Sequence, residues 1–559
     1  MRWRYLAAVV AGFVLAASFP LLGMAGLAWI GPGLFLAAAW GKSGGESFRI
    51  GYIAALTHYL VSLYWILLIP YRWLGIPLGP ATGWLALSGF VALFPAAWTR
   101  WTLWRASALV PAMEEGADAG RLAGFPARWP LRLWWALTSA AAWVAMEMVL
   151  ARIFGGFPWN LLGASQHRLT PLIQISSWTG IYGVSFLVVW FAVSLFSAGM
   201  MLLRQPERRG VWVAEMFLPI LTVALVFHFG ERVLRTEKPA ARTLRVEVMQ
   251  PSIPQTVIWD ETADEARFTN FVRECEASLT NRIDLLIWPE SGIPRPLRYH
   301  EQTFQEVTGL ARRHHVWMIV GSEDIEPAKG SRDPEKADYF NASFLISPEG
   351  EIWRRYCKRS LVIFGEYVPG ERWLPFIKWF TPWIQGSYTP GTGAVAFNMK
   401  DLDASTSVLI CFEDVFPQLG RTGVNTNTDF LVNITNDGWF GEGAEQWQHG
   451  LSGLFRAVEN RVPLVRCSNN GLSCWIDEYG RMREILRDKA GSVYGEGAAI
   501  FEIPLAAAGQ GHALTFYTQH GDVFGWSCFG LTAGLSLCPL ARRRLGRGIS
   551  PGNGHQPGA

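Results

Sequence analysis

Three residues whose types suit covalent catalysis stand where predicted strands end. Glu290 closes "LLIWPE", Cys411 closes "VLIC", and Lys358 follows a predicted hairpin in "YCKRS". Because chemistry in layered α/β sheets gathers at the carboxyl ends of strands, these side chains could meet in one pocket. There the thiol could act as a nucleophile, with Glu290 taking and returning its proton and Lys358 favouring the thiolate.

The immediate surroundings of Cys411 work against that chemistry. Glu413 and Asp414 follow it within three residues, and nearby carboxylates hold the proton on a thiol. Cys411 is therefore either a buried, inert residue or a nucleophile whose neighbouring acids are offset by a residue such as Lys358. Spacing alone leaves both open, because Glu290 could equally lie in a turn and Lys358 on the solvated surface.

The part of the chain that carries these residues has the pattern of an α/β domain. From residue 243, short β-rich runs alternate with helical stretches, which favours a layered α/β architecture. Helices are predicted at 262–279 and 301–314, and "FNASFLISPEGEIWRRY" predicts a hairpin with a Pro-Glu-Gly turn. Strands are predicted in "LRVEVMQ", "DLLIWPE", "VWMIVGSE", "TSVLICFE" and "DFLVNITND".

The remainder is dominated by apolar runs long enough to cross a bilayer, which takes ~20 residues as a helix. Candidate spans are 5–21, 23–41, 50–70, 81–100, 133–153, 171–203, 211–229 and 521–540. The long sixth run is predicted to begin with an interfacial or re-entrant piece. We therefore expect a multi-pass α-helical membrane domain of about eight spans beside the α/β domain.

The distribution of basic residues predicts the orientation. Arginine and lysine gather before the first span and after the second, fourth, sixth and last, and basic loops stay in the cytoplasm. The predicted divisions are 1–230 transmembrane, 231–520 extracytoplasmic, 521–541 a C-terminal transmembrane helix and 542–559 a disordered cytoplasmic tail. We expect the α/β domain to lie outside the inner membrane, facing the periplasm.

Charge and cysteine content exclude several classes of protein. The net charge is +3, and no basic stripe indicates a nucleic-acid partner. The seven cysteines are odd in number and lack metal-ligand spacing, so neither a disulfide framework nor a zinc site is predicted. Cys467 and Cys474 flank a possible hairpin turn and could pair in an oxidising compartment.

Three segments resemble, in order, the signature segments of the nitrilase (carbon–nitrogen hydrolase) superfamily. They are "LLIWPES", "YCKRSLVIFGEYVP" and "LICFEDVFP". Together with the membrane spans, the chain resembles bacterial apolipoprotein N-acyltransferases along nearly its whole length. The further matching segments are "FGGFPWNLLGASQ", "QPSIPQTVIWDE", "ITNDGWFGEGAEQWQH", "RVPLVRCSNNG" and "TFYTQHGD".

The resemblance implies an αββα sandwich and a role for each matching residue. Glu290 would be the general base, Cys411 the nucleophile, and Lys358 the charge that stabilises the thiolate and the tetrahedral intermediate. The remaining implied residues are the supporting acids Glu366 and Glu413, the pocket tryptophans Trp259 and Trp439, and Phe412, whose N–H would help bind the oxyanion. The sequence departs from the family pattern at Phe412, where tyrosine is common, at Trp288 before "PE", and at Ile363, where proline is usual.

The implied reaction is transfer of a fatty acyl chain from a phospholipid to the N-terminal amine of a diacylated apolipoprotein. Cys411 would carry the chain as a thioester between two half-reactions, and no cofactor or metal is expected. We expect the protein to act as a monomer. Two alternatives remain: a membrane-tethered amidase with the same triad, in which water resolves the thioester, and a scaffold that has lost catalysis.

Other residues are candidates on their own pattern. Trp379 lies in "ERWLPFIKWFTPWIQGSY" (371–388), whose tryptophans favour either an interfacial lid or a buried core loop. Glu147, near Trp159 in the fifth span, is either functional or paired with Arg152. His449 could suggest a metal ligand, but a lone histidine is more often a hydrogen-bonded structural residue.

Overall fold

The structure is a computed structural model of the 559-residue chain. It describes residues 2–70, 78–109, 125–126, 128–205, 207, 210–237, 239–258, 260, 262–328, 336–370 and 387–547. The aromatic segment 371–386 with Trp379, and also Trp259, lie outside these residues.

The described residues of the N-terminal part are mainly helical. The α-helices are Arg2–Ala16, Gly31–Ala39, Gly44–Ser62, Gly79–Ala108, Trp129–Leu150, Thr170–Ile173, Ser176–Thr179, Ile181–Arg204 and Val211–Arg235. The predicted sixth run thus divides into two four-residue helices and one long helix. The first and third helices approach closely, since a Cβ on Gly12 would overlap the carbonyl oxygen of Ala54. Small residues at such contacts are typical of membrane helix pairs.

Four of these helices are long and apolar enough to cross a membrane: Gly79–Ala108, Trp129–Leu150, Ile181–Leu203 and Trp212–Arg235. The predicted first span is a helix of 15 residues, and the predicted second is broken near Ile30 into a 3₁₀ turn and a nine-residue helix. A shorter apolar stretch, Val523–Leu537, begins the C-terminal helix. That helix, Val523–Arg547, continues past the predicted start of the tail at 542.

Two six-stranded sheets form the rest. One has the order β12-β1-β2-β3-β4-β5 and the other β11-β10-β9-β8-β7-β6. The strands are β1 Arg242–Gln250, β2 Leu285–Ile287, β3 Trp317–Pro327, β4 Ala337–Ile346, β5 Ile352–Cys357, β6 Ala396–Met399, β7 Ala404–Ile410, β8 Phe430–Thr435, β9 Leu464–Ser468, β10 Cys474–Ile476, β11 Met482–Ile485 and β12 Gly497–Leu505. In each sheet three neighbouring strands run parallel, β1-β2-β3 and β7-β8-β9.

The sheets face each other, and helices cover their outer faces. Apolar residues from both sheets fill the space between them, among them Ile287 and Ile319 from one and Ile410 and Ile434 from the other. Helices Asp264–Ser278 and Glu301–His314 pack on the first sheet. Helix Ala444–Asn460 packs on the second sheet, and its apolar side chains share one continuous core with the N-terminal helices. The architecture is an αββα sandwich whose second outer layer rests on the helical part.

Local predictions for this part agree closely with the structure. The predicted helix 301–314 has those bounds, and the predicted helix 262–279 spans Asp264–Ser278. The Pro-Glu-Gly hairpin is present as the antiparallel pair β4–β5. The possible bridge between Cys467 and Cys474 is wrong, because both thiols are free. Arg466 is the cross-strand partner of Cys474, so Cys467 points to the opposite face of the sheet.

Candidate active site

Cys411 lies at the turn that follows β7, where the backbone takes an unusual conformation. Its φ is +51°, in the left-handed region that non-glycine residues rarely adopt. Two side chains hold its carbonyl oxygen: Asn433 Nδ2 donates to it at 3.0 Å, and His449 Nε2 lies 3.3 Å from it. Strained backbone of this kind persists where its surroundings fix it, and it gathers at functional sites.

Glu290 and Lys358 meet in the same region, as predicted. Lys358 Nζ lies 3.2 Å from Glu290 Oε1 and 2.8 Å from Glu366 Oε1. Asn341 Nδ2 donates to both carboxylates at 2.8 Å, so one amide fixes the spacing of the two acids. Its backbone carbonyl also accepts from the Lys358 N–H, at 2.8 Å. The result is one buried ammonium clamped between two carboxylates.

The charges around Lys358 keep it protonated. Burial by itself lowers the pKa of Lys358, but Glu290 and Glu366 outweigh burial and hold that pKa well above its usual value. Cys411 is half-buried, and its thiol lies within the field of Glu290 and Lys358. Lys358 is therefore a fixed positive charge, suited to stabilising an anion that forms beside it.

Lys358 acts on Cys411 in the predicted direction, lowering the pKa of the thiol, but other effects outweigh it. Burial raises the pKa of Cys411 well above its ordinary value, Glu290 raises it further, and the opposing effect of Lys358 is smaller. A hydrogen bond with Thr435 also favours the anion without reversing the balance. The resting residue is a thiol, so its proton must leave when it reacts, and Glu290 is the adjacent carboxylate.

The acids that follow Cys411 are offset by partners other than Lys358. Glu413 accepts hydrogen bonds from Ile410 N at 2.9 Å, Arg359 N at 2.6 Å and Ser360 N at 3.1 Å, and from the Tyr356 hydroxyl at 2.8 Å. Burial raises the pKa of Glu413, and these donors oppose it. Glu413 therefore ties the end of β7 to the segment that carries Lys358.

Asp414 belongs to a buried charged network that the sequence did not reveal. Arg466 Nη1 donates to Asp414 Oδ2 at 2.9 Å, and Arg466 Nη2 donates to Asp437 Oδ2 at 2.9 Å. His449 lies between the two acids, 2.9 Å from each. The signal that could have found Arg466 is its place inside the apolar run "VPLVRCS", since a charge buried in a strand needs partners.

The same network includes three residues whose ligand atoms could hold a metal ion: Asp437, Glu445 and His449. Arg466 already donates to both oxygens of Asp437, at 2.9 and 3.1 Å. The carboxylates of Asp414 and Asp437 hold the pKa of His449 at about 10, against the lowering effects of burial and Arg466. Arg466 and His449 thus provide two positive charges beside Asp414 and Asp437.

A turn of the N-terminal part lies beside the residue that follows Cys411. Phe412 stacks on Trp159, with ring centroids 6.0 Å apart and an interplanar angle of 18°. Trp159 also lies 5.4 Å from the His449 ring and donates to Gln448 Oε1 at 2.8 Å. Trp439 is half-buried in the short helix Asp437–Phe440. The turn that carries Trp159 therefore contacts the residue directly after Cys411.

The suggested pairing of Glu147 with Arg152 is wrong. Glu147 accepts hydrogen bonds from Trp143 Nε1 and Leu162 N, both at 2.9 Å. Arg152 pairs with Asp522 at the start of the C-terminal helix. Glu147 therefore fixes the turn after its own helix, while Arg152 ties that helix to the C-terminal one.

The sandwich is a domain of the carbon–nitrogen hydrolase type. The profile of that family, "Carbon-nitrogen hydrolase", matches residues 245–510, and the profile "Apolipoprotein N-acyltransferase N-terminal domain" matches residues 11–194. The chain belongs to the apolipoprotein N-acyltransferase family.

Relatives cover the full length. The apolipoprotein N-acyltransferase of Geobacter metallireducens is 34% identical over 549 residues, 97% of this chain and 96% of the relative. That of Methylococcus capsulatus is 29% identical over 560 residues, 99% of each. Among solved structures, an amidase from Nesterenkonia sp. is 18% identical, covering 51% of this chain and 94% of the amidase at a TM-score of 0.33.

Proposed function

We propose that this acyltransferase moves a fatty acyl chain from a membrane phospholipid to the N-terminal amine of a diacylated apolipoprotein, through a thioester on Cys411. The observation that carries the mechanism is the buried ammonium of Lys358, held at 3.2 Å from Glu290 and acting on the Cys411 thiol. Membership of the family supports the donor and acceptor classes.

In the first half-reaction Glu290 takes the thiol proton as the sulfur attacks the ester carbonyl of the donor. Lys358 and the Phe412 N–H stabilise the oxyanion, because a fixed charge in a buried site needs no reorganisation. The intermediate collapses to the thioester, and Glu290 returns the proton to the leaving lysophospholipid oxygen. Glu366 and Glu413 are positioning residues. Glu366 orients the Lys358 ammonium, and Glu413 fixes the turn that follows β7.

In the second half-reaction the apolipoprotein amine attacks the thioester carbonyl. Glu290 accepts a proton from the attacking nitrogen, and the thiolate leaves and is reprotonated. We assign Trp439 and Trp259 to the substrate pocket, and we assign Trp379 to substrate binding as well, in a segment at the membrane interface. The half-buried position of Trp439 beside Asp437 supports the first of these assignments.

We further propose the placement of the protein in the bacterial inner membrane. The four long apolar helices, together with the shorter ones, would make about eight spans in 1–230 and 521–541. The catalytic domain, 231–520, would face the periplasm, as the alternate basic loops indicate. We expect a monomer that binds no nucleic acid and needs no cofactor, with 542–559 on the cytoplasmic side.

Intact-protein mass spectrometry after incubation with one defined phospholipid tests this function. We expect an added mass of one acyl chain that neutral hydroxylamine removes, that Cys411→Ala lacks, and that a diacylated lipopeptide discharges onto its amine. Turnover of small amides without an adduct would favour the tethered amidase. A folded sample with neither adduct nor turnover would favour the scaffold.

A further inference from the structure

A cleft of about 500 Å³ opens next to Lys358. One wall is the segment from Arg359 to Leu361 with Tyr367 and Val368, another is formed by Ser387 and Tyr388, and Gly155 of the N-terminal part closes it from the other side. A Cβ on Gly155 would lie 3.5 Å from Ile363 Cδ1 and 3.6 Å from the Tyr367 hydroxyl, so the two parts nearly touch there.

The walls of this cleft are bonded to the residues of the active site. Tyr388 N donates to the carbonyl of Glu366 at 2.9 Å, and Gly391 N donates to the carbonyl of Lys358 at 2.8 Å. The Tyr388 hydroxyl is held by Glu323. A molecule in the cleft therefore lies against the backbone that carries the Lys358–Glu366 ion pair.

Arg359 is the only charged side chain among the described residues that line the cleft. Its guanidinium donates to three neutral acceptors: the Tyr356 hydroxyl at 3.0 Å, Thr422 Oγ1 at 2.9 Å and the carbonyl of Leu419 at 3.2 Å. A guanidinium has five N–H donors, so these bonds anchor the Arg359 side chain and leave the remaining donors available to a ligand. Its half-buried position and neutral partners suit it to bind a planar or tetrahedral oxyanion.

Residues close in sequence to the lining of the cleft have the opposite character. Phe154, next to Gly155, is 74% exposed, and Phe364, between Lys358 and Tyr367, is 48% exposed. Ser360, Ser387 and Tyr367, which carry hydroxyl groups, line the cleft itself. A cleft with one cation and several hydroxyls, with exposed aromatic residues next to its lining in sequence, matches a molecule with an anionic head and an apolar tail.

We propose that Arg359 binds the phosphate of the donor glycerophospholipid in this cleft, with the acyl chains running out over Phe154 and Phe364. The inference rests on the proposed function, and it identifies the part of the donor that this site recognises. Phosphate bound there would set the ester beside Lys358 before Cys411 attacks. Free inorganic phosphate shares the same oxyanion chemistry, and the test separates the two sources.

The experiment compares Arg359→Gln with the unchanged full-length protein in detergent micelles. Acyl-enzyme formation is followed by intact mass with two donors, a phosphatidylglycerol and p-nitrophenyl palmitate, which has no phosphate. We expect the half-saturating phosphatidylglycerol concentration to rise about tenfold or more, which corresponds to the loss of one charge-assisted contact. The rate with p-nitrophenyl palmitate should stay unchanged, and Arg359→Lys should retain part of the phospholipid affinity.

Two further variants separate binding from structure. Thr422→Val removes a neutral acceptor of Arg359 and keeps its charge, and Arg421→Gln removes a nearby arginine that donates to Thr518 and does not line the cleft. Thr422→Val should weaken phosphatidylglycerol binding less than Arg359→Gln and leave the rate with p-nitrophenyl palmitate unchanged, whereas Arg421→Gln should behave as the unchanged protein toward both donors. Equal losses with both donors in Arg359→Gln, or a loss with phosphatidylglycerol in Arg421→Gln as large as in Arg359→Gln, would overturn the proposal.

Binding measured without turnover distinguishes this inference from the proposed function. In Cys411→Ala, native mass spectrometry should show retention of phosphatidylglycerol over diacylglycerol, and the added Arg359→Gln change should abolish that preference. Millimolar inorganic phosphate that displaces the lipid would identify the phosphate group as the recognised element. If Cys411 fails to acylate while this preference persists, the proposed function fails and the phosphate site stands. Equal retention of both lipids overturns the site.

Discussion

His449 Nε2 lies 2.9 Å from Asp414 Oδ1, and the same nitrogen is 3.3 Å from the carbonyl oxygen of Cys411. One imidazole thus contacts both an acid that follows Cys411 and the strained backbone of Cys411 itself. Arg466 neutralises the other side of Asp414 at 2.9 Å. The residues that neutralise Asp414 are therefore different from the carboxylates that pair with Lys358.

The first prediction concerns the charge of His449, which faces Asp414, Asp437, Glu445 and Arg466. Its folded pKa of about 10 exceeds the ordinary value of 6.5, so its stabilising effect is complete below pH 6.5 and is lost as pH rises through about 10. We expect the melting temperature of the detergent-solubilised protein to fall between pH 7 and pH 10.5. His449→Gln should be less stable at pH 7, by about 3–5 kcal/mol, as for other broken buried ion pairs. Its melting temperature should lack the fall that His449 causes between pH 7 and pH 10.5.

The matched control is His520→Gln, because His520 is exposed on the short helix Phe516–His520. It should follow the unchanged protein at every pH. Parallel melting curves for His449→Gln and the unchanged protein across this range would show that His449 is neutral in the folded state.

The second prediction separates the charge of Glu290 from its role as a base. Because the Glu290 carboxylate raises the pKa of Cys411, Glu290→Gln should lower that pKa and shift the pH profile of Cys411 alkylation by iodoacetamide toward lower pH. Acyl-enzyme formation should nevertheless fall about 10²–10⁴-fold, since an amide cannot accept the thiol proton. Peptide mass spectrometry follows alkylation at Cys411 alone. The exposed acid Glu502, changed to Gln, serves as the control, and an alkylation profile that stays in place or moves to higher pH contradicts the argument.

The third prediction concerns Gln448, whose side chain joins the sandwich to the N-terminal helices. Its oxygen accepts from Trp65 Nε1 at 3.1 Å and Trp159 Nε1 at 2.8 Å, and its nitrogen donates to the carbonyls of Pro20 and Ser62 at 3.0 Å. Gln448→Leu leaves these buried groups unpaired, at about 1–3 kcal/mol each. We expect a melting temperature several degrees lower and a change in tryptophan fluorescence.

Gln305→Leu is the comparison for that change, since Gln305 is exposed and bonds only Glu301 among the described residues. It should alter neither signal. Unchanged stability in Gln448→Leu would mean that water replaces the amide at this junction.

The fourth prediction concerns Gly156, in the turn that leads to Trp159. Its φ is +84°, and a Cβ there would overlap the carbonyl oxygen of Ala151 and lie 3.0 Å from Phe416 Cε1. Its ψ of 148° places it in a backbone region that essentially only glycine adopts, at a cost of about 1–3 kcal/mol for another residue. Gly156→Ala should lower the melting temperature and slow acyl-enzyme formation, whereas Gly26→Ala, with open space around its Cβ position, should do neither. Equal behaviour of the two variants in both assays would contradict this account.

Much of the sandwich could be predicted from the sequence because its signals are local. The helix 301–314 and the Pro-Glu-Gly hairpin depend on periodicity and turn residues, which act within a few positions. Glu290, Lys358 and Cys411 could be selected from strand ends and from the order of three short segments. The number of spans was harder to predict, because an apolar run such as 23–41 forms a 3₁₀ turn and a short helix and not one continuous helix.

The sequence by itself thus determined the α/β class, the residue types of the site and the family that their order resembles. The tertiary structure decided which charge acts on which group. Arg466 and His449 reach Asp414 from 52 and 35 positions away, and Asn341 reaches Glu290 from 51. Burial and Glu290 raise the pKa of the Cys411 thiol more than Lys358 lowers it. These electrostatic effects depend on distance and desolvation, and the order of residues in the sequence determines neither directly.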